Sequence, residues 1–225
     1  MRIIVTHLTR MKGNRICVAG LDWKTGHHVR PVTPPSHQLT RQCLKGRGGL
    51  FHLGAVVELG RVQYVGKPPE VEDFCFNPKK VRYVGALSEA EFREVLRAVA
   101  KGNLRDIFGD SLLKSKWSRV VMPGTGHASL GILSPRTRPV LFLRDGKIRM
   151  HLHDGVSYCD LSVTDIRLVR DDHTTPNTSL LASWIERIDS GADVILAVGL
   201  TRAFARHGDR WRWHWLQINN IFIMD

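Results

Sequence analysis

The chain consists largely of short apolar runs, separated by Gly, Pro, Asn or Asp, in which outward and inward positions alternate. Such runs occupy residues 3–5, 16–20, 29–32, 53–65, 127–133, 140–143, 148–152 and 163–169. A period of two with turn residues between the runs predicts β-strands. Strands and helices do not alternate regularly, which argues against a doubly wound parallel sheet. We therefore expect a mainly β protein.

Two amphipathic segments interrupt the strands. Ser88 and Glu91 have the spacing of a capping box, and the helix that they begin is expected to end at Gly102. Apolar residues within 180–188 predict a second helix. This order predicts two small barrels packed together, each with a covering helix. We place the first in residues 1–118, with a long connection at 66–80, and the second in residues 119–225, ending in strands 194–204 and 211–224.

The charge of the chain is strongly positive and unevenly distributed. Lys and Arg number 33 against 21 Asp and Glu, a formal net charge of +12. Residues 1–50 hold nine basic and one acidic residue, a net of +8, and residues 101–150 hold ten and three, a net of +7. Residues 151–200 hold three and eight, a net of −5. Clustered positive charge favours a polyanionic partner, so we expect nucleic acid.

Cysteine usage and apolar run length restrict the class of protein further. The four cysteines contain no CxxC pair, which argues against a zinc ribbon or a thioredoxin-like motif. The amino terminus lacks the apolar region of a signal peptide, and no run of about 18 apolar residues occurs. We expect a cytoplasmic protein without a membrane partner, a metal or a cofactor.

The first fifty residues combine cations with one tryptophan, Trp23. Phosphates need cations and unstacked bases need a flat partner, so this combination suits single-stranded nucleic acid. Trp23 is the aromatic candidate, although a place in the core is an equally good interpretation for it. A glycine-containing segment follows and has the composition of a basic, phosphate-binding loop. The candidate binding residues here are Trp23, Arg10, Lys12, Arg15, His28, Arg30, Lys45 and Arg47.

A second candidate lies near the carboxyl end, where cations and indoles alternate from Arg210 to Trp215. In a strand, Trp211, Trp213 and Trp215 would face one side. Three tryptophans on one face favour a core over a stacking surface. The cations on the opposite face are then the nucleic-acid-binding candidates: Arg210, Arg212 and His214, with Arg202 and Arg206.

Catalytic patterns are sparse. The chain has no Gly-Lys-Ser/Thr phosphate loop and no GxGxxG run. His151 and His153 share a strand face without a usefully spaced third ligand, which favours a structural role. The His-x-Ser/Thr tripeptides at His7 and His127 resemble the arrangement of two-histidine phosphoesterases, with these histidines as general base and acid. This enzyme is kept as an alternative.

Two stretches resemble one known family. Residues 14–22, running on to 28–32, and residues 199–202, followed by 214–222, are similar to the dual OB domain family of small prokaryotic proteins. The resemblance implies two OB-like barrels, a nucleic-acid-binding role and an association with prokaryotic defence or mobile-element systems. It implies no established catalytic site. OB barrels bind oligonucleotides on strands 2 and 3 and the flanking loops.

The leading hypothesis is a non-catalytic subunit that binds or senses single-stranded DNA or RNA, acting alone or beside a separate nuclease or helicase. A further alternative is a protein adaptor, in which the acidic segment 154–193 docks a basic protein while the basic part holds nucleic acid.

Overall fold

The computed structural model describes residues 1–34 and 38–224, which divide into two compact units. The first unit comprises Met1–Lys67 and Glu72–Val99, and the second comprises Pro68–Val71 and Ala100–Asp225. Each unit contains one main sheet. The domain boundary after residue 118 stays a prediction about which parts of the chain fold alone.

Seven strands form the sheet of the first unit. They are β1 (Arg2–Arg10), β2 (Ile16–Asp22), β3 (His28–Val32), β4 (Ala55–Glu58), β5 (Val62–Tyr64), β6 (Asp73–Phe76) and β7 (Arg82–Ala86), followed by helix α1 (Glu89–Val99). The strand order is β5-β6-β3-β2-β1-β4-β7. The strands β1, β2 and β3 form an antiparallel meander, and β3 pairs with β6 in parallel.

That pairing has the connectivity of an OB barrel. The strands β4 and β5 are separated only by residues 59–61, yet β4 pairs with β1 and β5 pairs with β6 on the far side of the sheet. They act as one bent fourth strand that curls the sheet. Gly20 permits the close approach of β1 and β2, because a Cβ at this residue would lie 2.1 Å from the backbone oxygen of Ile4.

The second unit repeats this connectivity. Its elements are α2 (Leu104–Phe108), β8 (Leu113–Ser115), β9 (Ser118–Val121), β10 (Leu130–Leu133), β11 (Val140–Arg144), β12 (Lys147–His153), β13 (Tyr158–Val163), α3 (Thr178–Asp189), β14 (Asp193–Leu200) and β15 (His214–Met224). The order of the main strands is β10-β14-β15-β13-β12-β11, with β13 and β15 parallel. Residues 134–139 join the two terminal strands, so β10 and β11 act as one bent first strand.

Alternation explains why the strands of the second unit bury one face. In β12, Ile148, Met150 and Leu152 are buried and the intervening side chains point outward. Asn177 is the N-cap of helix α3, and its side chain accepts a hydrogen bond from the Leu180 backbone. The helix buries Leu181, Trp184 and Ile188. This helix lies between the third and fourth strands of the barrel, as in other OB folds.

The mainly β class and the two OB-like units are confirmed, and three details of the sequence interpretation are wrong. The expected connection at 66–80 contains β6, and 163–169 contains a short 3-10 helix, since the strand ends at Val163. The two closing strands are shorter than predicted, so residues 201–213 form a loop between β14 and β15. In the first unit, 3-10 turns replace the helix between the third and fourth barrel strands, and α1 follows β7.

Among the described residues, no helix is long and apolar enough to span a bilayer.

Candidate nucleic-acid interface

The outer face of β11, β12 and β13 is the most open strand surface of the second unit. Cross-strand pairing sets Phe142 beside Arg149, and sets Arg149 beside Ser162. The remaining outward side chains of this surface, which we call the β11–β13 face, are Val140, Arg144, Lys147, His151, His153, Tyr158 and Asp160. These strands correspond to strands 1, 2 and 3 of the barrel, the part that binds oligonucleotides in OB folds.

Arginines converge on one carboxylate at the centre of this face. Arg149 Nε donates to Asp160 Oδ1 at 2.7 Å, and Arg144 forms an ion pair with Oδ2 of the same carboxylate. Burial raises the pKa of Asp160, but the hydrogen bonds and charges of Arg149 and Arg144 outweigh burial and leave it below its ordinary value. One carboxylate therefore holds two guanidiniums, and the cluster keeps an excess of positive charge.

The loop between β14 and β15, residues 201–213, is held in a defined shape. At its base, Thr201 Oγ1 accepts from the Trp215 backbone at 2.9 Å. Farther out, Phe204 and Trp213 exchange backbone hydrogen bonds of 3.0 and 3.1 Å. Arg212 donates to the Ala203 oxygen at 2.8 Å. In an OB barrel this loop joins strands 4 and 5 and flanks the binding face.

Arg206 connects this loop to the strands. Its Cζ atom lies 3.4 Å from the ring centroid of Trp215. Burial lowers the pKa of Arg206, and the neighbouring charge of Arg149 lowers it further. An arginine keeps its charge at neutral pH nevertheless. A third guanidinium thus lies within electrostatic reach of the cluster at Asp160.

Large aromatic side chains are exposed on the second unit. Trp117, in the turn between β8 and β9, is 76% exposed, and its backbone oxygen accepts from the Asp160 backbone at 2.6 Å. Tyr158 on β13 is 61% exposed, and Trp211 in the loop is 63% exposed with Arg210 over its ring at 5.3 Å. Exposed rings beside cations supply both partners that a single strand needs.

The alternation predicted for residues 210–215 is wrong, because residues 210–213 belong to the loop. Trp211 is exposed, Trp213 is half-buried and Trp215 is 4% exposed. His214 is buried and its Nδ1 lies 2.8 Å from the Thr201 oxygen. Of the predicted cations, Arg202 forms a 2.8 Å ion pair with Glu70. Arg206, Arg210 and Arg212 therefore carry the positive charge of this loop.

In the first unit, several candidates lie inside the structure. Arg30 is 4% exposed, and its Nε donates to Asp73 Oδ1 at 2.6 Å. His28 packs edge-on against His7, with ring centroids 5.6 Å apart. Burial, with a smaller effect of the charge on His27, lowers the pKa of His28 to about 4. A buried ion pair and a neutral imidazole are structural features, and neither offers charge to a ligand at neutral pH.

The other first-unit candidates lie at the surface, in separate loops. Arg15 donates to the Lys12 oxygen at 3.0 Å in the β1–β2 loop, and the half-buried Arg10, whose pKa burial lowers, is the last residue of β1 before this loop. Trp23 is 47% exposed in the β2–β3 turn, so the core interpretation of this residue is wrong. Lys45 lies 5.7 Å from the Tyr83 ring centroid, and Arg47 is exposed in the same 3-10 turn.

The two histidines of the phosphoesterase alternative do not have equivalent environments. His7 is 1% exposed on β1 of the first unit, and its Nδ1 lies 2.9 Å from Thr6 Oγ1. His127 is an exposed loop residue of the second unit. The hydroxyl-bearing residues of both tripeptides, Thr9 and Ser129, are buried. A substrate phosphate has no access to His7, so the structure does not support this arrangement.

Three of the eight acidic residues of the segment 154–193 form ion pairs inside the second unit. Asp154 pairs with Arg119, and Asp160 pairs with Arg144 and Arg149. Asp165 is 1% exposed and accepts from both Arg167 and the Ile221 backbone. These contacts neutralise the centre of the acidic segment, which weakens the adaptor alternative.

Sequence reasoning missed Arg144, Arg149, Tyr158 and Trp117 as candidates. The signal was present in the alternating strand Lys147–His153, in which every outward residue is Lys, Arg or His. That pattern identifies a cationic face only once the apolar positions are assigned to the barrel interior.

The fold and this surface define a protein with two OB barrels, one of which presents a cationic and aromatic face. The profile of the dual OB-containing domain family matches residues 1–221. The chain belongs to this family, which confirms the resemblance seen in the sequence.

Comparison with other proteins adds little beyond the family. No curated protein matches the chain. Among solved structures, the p204 HINb domain has a TM-score of 0.37 at 9% identity and covers 100% of this chain and 95% of its own. The Ifi202 HINa domain in complex with 20bp dsDNA has a TM-score of 0.37 at 10% identity, covering 99% and 93%. A murine DNA binding protein bound with ds DNA has a TM-score of 0.33 at 8% identity, covering 100% and 95%. The double-stranded DNA of the second and third structures is bound by those proteins.

Proposed function

We propose that this protein binds single-stranded nucleic acid, without cleaving it, on the β11–β13 face and the 201–213 loop of the second unit. The observation that carries the proposal is the convergence of Arg144 and Arg149 on the single carboxylate of Asp160, with Arg206 held over Trp215 in the 201–213 loop. Each guanidinium is held in place by a neighbour in the same unit. A phosphate arriving there meets cations that need little further ordering.

The charge and the aromatic residues support the same ligand class. Seven Lys and Arg residues lie on the β11–β13 face and in the loop of residues 201–213. Four acidic residues offset them, namely Asp145 in the β11–β12 turn, Asp160, Asp209 and Glu70, which leaves a net charge of +3. Exposed Trp117, Tyr158 and Trp211 lie on the same unit. Bases of a single strand can stack on such rings, whereas duplex bases are already stacked on each other. We therefore favour single-stranded DNA or RNA over a duplex.

The test is fluorescence anisotropy with matched single- and double-stranded DNA and RNA at several salt concentrations. We expect single strands to bind more tightly than duplexes, with affinity falling by about 10²-fold between low and moderate salt. Gel analysis of the same samples, with and without divalent cations, should show intact nucleic acid. Salt-independent binding, or a lack of binding to every strand tested, would contradict the proposal. The nuclease or helicase partner, the defence context and the cytoplasmic location remain predictions.

A further inference from the structure

A groove of about 830 Å³ opens on the first unit beside the β5–β6 hairpin. Its apolar floor includes Val62 and Phe76, which face each other across the two strands. The amide side chains of Gln63 and Asn77 also line it. The volume falls within the range of about 300–1,000 Å³ that is usual for small-ligand sites.

Three cations surround this groove: Arg61, Lys79 and Lys80. Among the described residues that line the groove, none is Asp or Glu. Within residues 1–34 and 38–224, none of these three side chains takes part in an ion pair. Three positive charges that no described carboxylate of the lining offsets make an electrostatic site for an anion.

The backbone that carries two of these cations is held against the groove. Lys79 and Lys80 belong to the 3-10 turn Pro78–Lys80, and the Asn77 side chain accepts from the Lys79 backbone at 3.0 Å. The turn at Gly60, with φ of +73°, packs beside Lys80, because a Cβ at Gly60 would lie 3.6 Å from the Lys80 Cβ. The cations are thereby positioned at the rim of the apolar floor.

We propose that this groove binds one phosphate-bearing nucleotide. The apolar floor suits the apolar face of a base, while the amides of Gln63 and Asn77 can bond its polar edge. The cations at the rim suit the phosphate. A free nucleotide and the phosphorylated end of a strand share this chemistry. The site lies in the first unit and does not depend on the proposed function of the second.

The experiment uses the full chain with fluorescently labelled AMP, with adenosine as a competitor, and with 12-nucleotide strands that carry or lack a 5′-phosphate. The variant Lys79→Glu with Lys80→Glu is compared with a charge-matched control, Lys24→Glu with Arg97→Glu, at two exposed positions of the same unit. We expect the groove variant to bind AMP about tenfold more weakly or worse, and the control to bind as the native protein does. Circular dichroism melting confirms that both variants fold.

A second measurement does not depend on any variant. Cys75 lines the groove and is half-buried, whereas Cys43 lies elsewhere in the same unit. AMP should slow alkylation of Cys75 but not of Cys43, as read by mass spectrometry of peptides. Selective competition by the 5′-phosphorylated strand identifies a strand end as a ligand, and competition by free AMP alone identifies a free nucleotide.

Three outcomes would overturn the inference: no binding of AMP or of the phosphorylated strand end, equal competition by adenosine and AMP, or equal affinity in the groove variant and its control. Salt-dependent binding of long single strands without nucleotide binding would overturn this inference and leave the proposed function intact. Nucleotide binding without binding of long strands would do the reverse.

Discussion

Arg206 lies over the indole of Trp215, with its Cζ atom 3.4 Å from the ring centroid. The contact joins a cation of the loop to Trp215, a buried residue near the start of β15. A guanidinium held flat against a ring keeps its outward N–H groups available for a phosphate while losing little further freedom on binding. This relationship holds the loop of residues 201–213 against β15 and is the reason that we include it in the proposed binding surface.

Replacing Arg206 by Ala should lower affinity for single strands by about tenfold and reduce the salt slope by about one phosphate contact. Arg206→Lys should recover only part of the affinity, because an ammonium cannot stack as a planar guanidinium does. Anisotropy titrations at several salt concentrations measure both quantities. Arg170→Ala, at an exposed position of the same unit, is the matched control and should bind normally. Equal affinity of the Arg206→Ala and Arg170→Ala variants would remove the loop from the interface.

Replacing Arg149 by Gln should weaken binding of single-stranded DNA or RNA by about tenfold. The change also leaves Asp160 with Arg144 as its only arginine partner and adds net negative charge to the face. The double variant Arg149→Gln with Asp160→Asn restores the local charge balance and should recover part of the affinity. Failure of the double variant to recover any affinity would show that the Arg149 guanidinium itself contacts the ligand.

The tryptophans of the loop and of β15 should separate by role. Trp215→Ala should cost about 3–5 kcal/mol of unfolding free energy, because it removes a buried ring from the barrel and from Arg206. Trp211→Ala should leave the melting temperature unchanged and weaken binding by about 1–3 kcal/mol, the usual contribution of one stacked base. Thermal melts and titrations of the two variants test both expectations. A destabilised Trp211→Ala variant would contradict the exposed position of this ring.

The Arg30–Asp73 pair should matter for folding and not for binding. Arg30→Ala should lower the unfolding free energy by about 3–5 kcal/mol, since it leaves Asp73 buried without its cation. Arg30→Met combined with Asp73→Leu should cost less, because no isolated charge remains. Denaturant unfolding measures both changes. If the folded double variant loses nucleic-acid affinity, the structural role assigned to Arg30 is wrong.

Stability of the first unit should fall as the pH falls below neutrality, in part because of His28. Its pKa in the folded state is about 4, against an ordinary value of 6.5. Between these values the unfolded chain binds a proton that the folded chain does not. The stabilisation that comes from His28 is therefore fully present above pH 6.5 and is lost as the pH falls to 4. The loss from this group should be about 1–3 kcal/mol. His28→Asn should flatten this part of the pH profile, and an unchanged slope would assign the effect to other groups.

The amino-acid sequence by itself determined the class of fold. Period-two apolar runs specify strands whichever neighbour they pair with, and the charge bias predicts a polyanionic partner. The stretches that contain Gly20 and Gly199 carried the resemblance to the family. A Cβ at Gly20 would lie 2.1 Å from the backbone oxygen of Ile4, and a Cβ at Gly199 would lie 2.4 Å from Nδ2 of Asn219.

Tertiary structure alone decided which cations are available to a ligand. Arg30 and Arg144 both lie in β-strands and pair with a carboxylate, yet the Arg30 side chain is 5% exposed and the Arg144 side chain is 53% exposed. Burial depends on strands far apart in the sequence, such as β3 and β6, whose pairing no local pattern encodes. The same reason explains the failure at Arg210–Trp215, where local alternation continued but the strand did not begin until His214. Periodicity sets the side on which a residue of a strand points, and long-range pairing sets where that strand begins and whether that side is covered.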